Sequence, residues 1–382
     1  MTKQIVFNKP YLSGNELLYI KDAIAGGKIS GNGKYTELCH RYFQNKLGAK
    51  KCLLTSSCTD ALELAALLLD IKEGDEVIIP SFTFVSTANA FVLRGAQIVF
   101  ADSSATSPNL DVDLLEQLIT PKTKAIVVVH YAGIANNMEA VKKLADKHNI
   151  YIVEDAAQAI DSYYKGSDDS TKPLGSIGHL GAFSFHETKN IISGEGGMLV
   201  INDEKLIDRA EVIWEKGTNR SAFFRGEVDK YVWMDIGSSF YPSDMIAAFL
   251  WAQLENLDTI QKKRLMLWNQ YYKLLLPLKH AGKLQLPEIP GYATNNAHIF
   301  YVVCNSHKER SELSVQLNNR GINAVFHYQS LHKSPYYKNL SGHRNLPNAD
   351  RYSDTLLRLP MFYELTPDDI TYITESITTV LR

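Results

Sequence analysis

The segment Val153 to Ala159, VEDAAQA, runs an apolar stretch directly into two acids and then into small residues. Ligands of a parallel sheet bind at the carboxyl ends of its strands. A carboxylate fixed there, Asp155, can pair with a cationic ring nitrogen, and the Gln158 amide can hydrogen-bond a neighbouring oxygen. Alone, the commoner meaning is a strand end whose aspartate caps the next helix. Gly181 to Asn190, GAFSFHETKN, places Lys189 just after a second apolar run. Most lysines are solvated, but one at a strand-to-loop junction forms a Schiff base when its surroundings lower its pKa. The glycines that follow, in Ile192 to Gly197, leave room for a ligand or simply turn a hairpin.

Leu53 to Glu63, LLTSSCTDALE, puts small hydroxyl residues at a helix start. Ser57, Cys58 and Thr59 offer N–H groups and a hydroxyl to a phosphate, helped by the helix dipole. An ordinary Ser/Thr cap has the same look and is commoner. Neither a G-x-G-x-x-G nor a Walker lysine pattern is present, so a nucleotide loop of those kinds is not supported. In Pro80 to Ala90, Phe82 or Phe84 can stack on an aromatic ligand, and core packing is the alternative. Each signal is weak alone. Together, in chain order, they make a phosphate cradle, a stacking ring, a carboxylate for a ring nitrogen and a Schiff-base lysine. Pyridoxal phosphate (PLP) uses all four.

The elements that must position these residues follow from periodicity. Ser13 and Glu16 form a capping box that predicts a helix near 14–25. A second helix is expected from Thr59 through LELAALLL. Strands at 76–80, 97–101, 125–129 and 151–154 alternate with helices at about 85–94, 113–119 and 137–148, and runs at 181–185 and 197–202 extend the sheet. Strands apolar on both faces mark a parallel sheet covered on both sides. The polar stretch 161–176 reads as a surface loop, and 243–276 as one long helix leading to a smaller C-terminal domain. That domain is expected to hold a strand at 298–304, a helix at 308–319, a short strand ending near Phe326 and a last helix opening at Thr366-Pro367.

The chain has 382 residues, 45% of them hydrophobic, enough for two or three domains or one large α/β domain with an appendage. Lys plus Arg is 40 and Asp plus Glu is 42, a net charge of −2, which argues against nucleic acid or an anionic membrane as partner. Four scattered cysteines, no apolar leader and no membrane-length apolar run suggest a reduced, cytoplasmic enzyme, with no metal spacing.

The stretches FNKP (7–10), PSFTFVSTANAFVLRGA (80–96), VHYAG (129–133), VEDAAQ (153–158), FSFHETKN (183–190), EKGTNRS (215–221), DIGSS (235–239) and VFHY (325–328) carry a wider likeness. The sequence resembles the DegT/DnrJ/EryC1/StrS sugar-aminotransferase family over nearly its whole length. It looks most like the branch that makes dTDP-4-amino-4,6-dideoxygalactose for enterobacterial common antigen. The resemblance implies a fold-type I PLP enzyme of the α/β class. Its large domain, 1–250, would hold a mostly parallel, seven-stranded-type sheet between helices, and 251–382 a smaller α+β domain. It implies that Lys189 holds PLP covalently and moves protons, that Asp155 meets the pyridine nitrogen and Gln158 the ring hydroxyl, and that Phe84 stacks on the ring. Ser184, Cys58 and Thr59 would contact the phosphate, with Cys58 standing where the family usually has Gly.

By the same resemblance the protein is a homodimer with active sites at the interface. Ser239 of a partner would take the place of the family's usual Asn at the phosphate. Arg220 would reach the nucleotide, and His327 and Tyr328 the sugar. The polar cluster Lys216, Asn219, Arg220, Arg225 and the turn Gly31 to Lys34 are further nucleotide candidates. The implied reaction is transfer of the amino group of L-glutamate to C4 of dTDP-4-keto-6-deoxyglucose, with a galacto or a gluco product. A 3-dehydratase of the same fold would carry His in place of Lys189, and a non-catalytic relative would lose the lysine or the acid; neither is lost. Beside a cationic ring, Asp155 is expected to titrate below the usual carboxylate range.

Overall fold

The computed structural model describes residues 4–338 and 344–381. The β-branched runs become the strands of a seven-stranded sheet: β1 (Lys51–Thr55), β2 (Glu76–Pro80), β3 (Gln97–Ala101), β4 (Thr123–Val129) and β5 (Tyr151–Asp155). A small hairpin, β6 (Tyr163–Lys165) with β7 (Thr171–Pro173), stands apart, and β8 (Leu180–Ser184) and β9 (Gly197–Ile201) complete the large sheet. Its order is β1-β9-β8-β5-β4-β2-β3. Every neighbouring pair is parallel except those of β9, which runs antiparallel to both β1 and β8. The sheet therefore sends the ends of β5 and β8 to one edge, where Asp155 and the Lys189 loop emerge.

Helices α1 (Glu16–Ala25), α2 (Lys34–Leu47), α3 (Cys58–Leu68), α4 (Val85–Val92), α5 (Met138–His148), α6 (Ile207–Trp214) and α7 (Arg220–Phe224) come from the first half of the chain and its margin. α8 (Asp244–Leu254) and α9 (Leu257–His280) lead to a second sheet. That sheet is formed by β10 (Leu284–Gln285), β11 (Phe300–Cys304), β12 (Val325–Phe326) and β13 (Leu356–Leu359). Its order is β10-β11-β13-β12, antiparallel throughout. Helices α10 (His307–Asn319), α11 (Pro347–Thr355) and α12 (Pro367–Leu381) accompany it. The period of two divides its faces. Phe300, Val302, Leu357 and Leu359 pack into one apolar cluster with Trp268 and Tyr271 of α9, while Tyr301, Val303 and Leu356 join the core of the large sheet. Among the described residues no helix is long and apolar enough to cross a membrane.

Five expectations are corrected. The capping box is half made: Ser13 N–H and Gly14 N–H donate to Glu16 at 2.6 and 2.8 Å, but the Ser13 hydroxyl donates to the Ala252 carbonyl. The stretch 113–119 forms two 3₁₀ turns, Val112–Leu114 and Glu116–Leu118, and ends as Ile119 turns to extended backbone two residues before Pro121. The loop 161–176 contains the β6–β7 hairpin, its turn fastened by Glu139, which accepts from Ser167 N–H at 2.7 Å. The long helix 243–276 is two. The Asn256 side chain takes the Ala252 carbonyl at 3.0 Å, and its backbone N–H turns to Gln253, so α8 stops there and α9 runs on past Pro277. The strand expected from 298 starts at Phe300, since Arg264 occupies the carbonyls of Ala297 and His298 at 3.0 and 2.6 Å.

Candidate active site

A cavity of about 720 Å³ opens where the carboxyl ends of β5 and β8 meet α3, α4 and the β12–β13 side of the second sheet. Asp155 ends β5 inside it, 6% exposed. Thr87 donates its hydroxyl to Asp155 Oδ2 at 2.7 Å and Ala157 its N–H to Oδ1 at 3.2 Å. Burial is the largest influence on this carboxyl and pushes its pKa up; the two hydrogen bonds, and the charges of Lys189 and His130, pull it down by less. The low value expected from sequence is therefore not a property of the chain by itself. It requires a cation at the carboxylate.

Lys189 follows a turn closed by its own N–H on the His186 carbonyl at 2.9 Å, and its side chain lines the cavity. Burial lowers the pKa of its amine, opposed by Cys58 and Asp155 and assisted by Arg358. Among the described residues no hydrogen bond holds Nζ, so an amine whose proton is loosened by burial shares the cavity with a buried carboxylate. Asn190 anchors the loop beneath it. Its amide nitrogen donates to Gln261 Oε1 and the Asn296 carbonyl at 2.8 and 2.9 Å, and its Oδ1 accepts from His298 Nδ1 at 2.8 Å.

Gln158 is held at both ends, its Oε1 by Ala132 N–H at 2.7 Å and its amide by the Tyr328 hydroxyl at 3.0 Å. Phe84 precedes α4 and faces the cavity 55% exposed, whereas Phe82 is 1% exposed and packs among Tyr131, Tyr328 and Tyr352. The choice between the two rings thus falls to Phe84. At α3, Ser57 caps the helix by accepting from Asp60 N–H at 3.0 Å, and the N–H groups of Cys58 and Thr59 have no acceptor among the described residues. Thr59 donates its hydroxyl to Ser86 at 2.8 Å, and Ser184 also lines this end. The glycine pair is neither mere room nor a mere turn: a Cβ on Gly197 would lie 2.4 Å from Cys58 N, so β9 passes directly beside the helix start. His327 and Tyr328 line the opposite side, their rings stacked at 3.6 Å, with His327 Nδ1 2.6 Å from the Tyr131 hydroxyl. Burial pushes the pKa of the His327 imidazole well down, and the charges of Arg358 and Lys189 push it the same way.

Two predicted residues are not brought there within one chain. Arg220 begins α7 on the surface, 5.0 Å from the Phe224 ring, and Ser239 is exposed and bridged to Glu215. Arg225 is occupied by Glu211 and Glu227 at 2.9 and 2.7 Å, and the Gly31–Lys34 turn packs on Tyr241 and Asp244. Sequence reasoning missed Thr87, Ser86, His298 and Arg358, all of which line the cavity. For Arg358 a signal existed, a single cation inside the apolar run LLRLP.

The DegT/DnrJ/EryC1/StrS aminotransferase family model matches residues 10–378. The chain belongs to this family. It is 32% identical over 393 residues to the spore coat polysaccharide biosynthesis protein SpsC of Bacillus subtilis, covering 98% of this chain and 97% of that one. Among solved structures, the PLP form of Spr1654 from Streptococcus pneumoniae matches with a TM-score of 0.90 at 26% identity, over 99% of both chains. Helicobacter pylori PseC, an aminotransferase involved in the biosynthesis of pseudoaminic acid, matches with a TM-score of 0.88 at 25% identity, over 99% of both chains. The family member described here is a PLP-dependent sugar aminotransferase. Its cavity has the donor set that PLP needs: open N–H groups and hydroxyls at the α3 terminus for an anion, a buried carboxylate for a cationic nitrogen, an exposed ring face and a lysine amine with no hydrogen bond among the described residues.

Proposed function

We propose that this enzyme transfers the amino group of L-glutamate to C4 of dTDP-4-dehydro-6-deoxyglucose, giving the galacto 4-amino sugar for a surface polysaccharide. The observation that carries the reading is the Lys189 amine and the Asp155 carboxylate facing one cavity beside the open N–H groups of α3. When bound, PLP supplies an electron sink for the carbanion that forms when the donor Cα loses its proton. Asp155 holds the positive charge on the ring nitrogen, and burial strengthens that pairing. Lys189 Nζ takes the proton from the donor Cα and returns it on the way to products, in the opposite sense when the keto sugar is aminated. Cys58, Thr59 and Ser184 hold the phosphate, Phe84 lies against the ring and Gln158 meets its hydroxyl. His327 and Tyr328 line the sugar side.

In the same proposal two copies associate, and the partner's surface brings Ser239 to the phosphate and Arg220 to the nucleotide. Support comes from Tyr231, Val232, Trp233 and Met234, four consecutive apolar residues that are 52–83% exposed in one chain. Runs of that kind mark interfaces. Incubation with dTDP-4-keto-6-deoxyglucose and L-glutamate, followed by product NMR, tests the reading. An amino group at C4 in the galacto configuration supports it, a gluco product replaces the stereochemistry, and no 4-amino product removes the substrate.

A further inference from the structure

Arg358 sits where a strand should hold an apolar residue. In β13 it pairs with Tyr301 on one side and Val325 on the other. Leu357 and Leu359 turn to the second sheet's own core, so Leu356 and Arg358 share the opposite face, toward the cavity. The guanidinium is fixed by protein. Its Nε and Nη2 donate to the Phe326 carbonyl at 3.3 and 3.0 Å, and it lies 4.7 Å from the centre of the Phe7 ring. Neither neighbour is an anion. Among the described residues no carboxylate is within ion-pair distance of Arg358, and Nη1 has no acceptor. A partly buried guanidinium without a counter-charge is costly, and one kept in a ligand cavity calls for an anionic ligand.

We propose that Arg358 binds the α-carboxylate of the amino-acid donor and so sets the specificity of the donor step. Three anions enter a cavity of this kind: the cofactor phosphate, the nucleotide pyrophosphate and the donor carboxylate. Lys189, Arg358, Cys58 and Asp155 all line the one cavity, and the Lys189 amine is close enough to Arg358 to feel its charge. The phosphate belongs to the far side, at the α3 terminus. The pyrophosphate is separated from the reacting carbon of a hexose C4 by the whole pyranose ring. In an α-amino acid the carboxylate and the amino group share one carbon. A donor whose nitrogen is at the Lys189 position therefore carries its carboxylate to whatever cation adjoins that lysine, and Arg358 is that cation. The planar fork of arginine suits a carboxylate with two parallel N–H bonds.

The inference rests on the transaminase reading, and the test separates the two. In the holoenzyme, calorimetry measures binding of glutarate, which has carboxylates but no amine, and of dTDP, while stopped-flow absorbance measures the reaction with L-glutamate. In R358Q, glutarate affinity and kcat/KM for L-glutamate are expected to fall about 10- to 100-fold, the worth of one charge-assisted pair. The affinity for dTDP is expected to stay within about twofold, and R358K to recover part of the loss. Glutarate affinity unchanged in R358Q overturns the assignment. So does a loss confined to dTDP, which moves Arg358 to the nucleotide, and so does loss of cofactor from both R358Q and R358K, which makes the residue structural. A wild type that binds glutarate through Arg358 yet deaminates no amino acid keeps the carboxylate site and sinks the transaminase reading.

Discussion

The strand end at Asp155 and the surface stretch from Lys216 to Ser239 were both read as parts of one site, and they are built in opposite ways. Around Asp155 the polar atoms are buried and answered. Glu154, fully buried, accepts from Gly175, Ile177 and Gly178 N–H at 2.8, 2.7 and 2.6 Å and lies 2.9 Å from His130 Nε2. Asn296 donates to the carbonyls of Gln158 and Ile160, both at 2.8 Å. The 216–239 stretch has the reverse character, with Trp233 83% exposed and Phe224 69% exposed. The strand end is finished inside one chain, and the donors left open in the cavity, at α3, Lys189 and Arg358, are those that face a ligand. On the proposed dimer, the 216–239 stretch leaves in water the apolar surface that association would bury.

The comparison breaks most sharply at Lys189. Lys189→Ala is expected to lower turnover by about 10³-fold or more at saturating donor, as loss of a proton-transferring nucleophile does, with the fold unchanged by circular dichroism. Turnover within tenfold of wild type would place the chemistry elsewhere.

Asp155→Asn keeps the shape and removes the charge. Its kcat is expected to fall at least about tenfold, one decade for 1.4 kcal/mol, with little change in nucleotide-sugar Kd. Stability should move the other way in cofactor-free protein. Burial raises the Asp155 pKa, so the folded state holds this proton more tightly than the unfolded state. Wild-type stability is then lost as pH rises from the ordinary carboxyl range through the raised folded value. The Asn variant should be the more stable at neutral pH, by a margin that closes as pH falls into that range. Thermal melts across pH read it, and a margin independent of pH removes the buried charge as its cause.

Glu154→Gln turns an amide toward donors that need an acceptor. A loss of about 3 kcal/mol is expected, as for other broken buried polar pairs. Urea titration at constant m-value measures it, and a shift below about 0.5 kcal/mol would show the network to be slack. At the other pole, Trp233→Ser should leave the unfolding free energy of the single chain within about 0.5 kcal/mol and weaken self-association about 30-fold, the loss expected of an interface anchor. Sedimentation equilibrium decides this; an unaltered association constant takes the stretch out of the interface. Arg220→Ala should raise the nucleotide-sugar KM about tenfold with kcat unchanged, and a silent variant would free Arg220 from the site.

What could be read from sequence follows the same division. β2 and β3 fall at 76–80 and 97–101 as expected, because a strand buried on both faces writes itself as an unbroken apolar run. Asp155 and Lys189 were legible as strand-end residues for the same reason. The four-residue β13 was not, since its one charged member breaks the run that would have announced it, and Arg358 was missed with it. The Asn190–His298–Asn296 linkage joins residues more than a hundred positions apart, and no local pattern encodes a pairing of that range. Where side chains redirect the backbone, as Asn256 does after α8 and Arg264 does before β11, periodicity alone misplaces the boundary.

The antiparallel β9 has a consequence for the order of assembly. β1 touches only β9 in the large sheet, with Lys51 opposite Ile201 and Thr55 opposite Gly197. A chain leaving the ribosome can therefore lay down β2, β3, β4 and β5 while β1, synthesised before all of them, still lacks a neighbour. That edge closes only when Gly197 to Ile201 emerges and folds back on β8, a hairpin that spans Lys189. Loop closure over so long a stretch is slow. The start of α3 is thus placed beside Gly197 in the same event that brings the Lys189 loop to its final position. Nascent chains stopped short of residue 197 should leave β1 open to protease, and those carrying β9 should protect it.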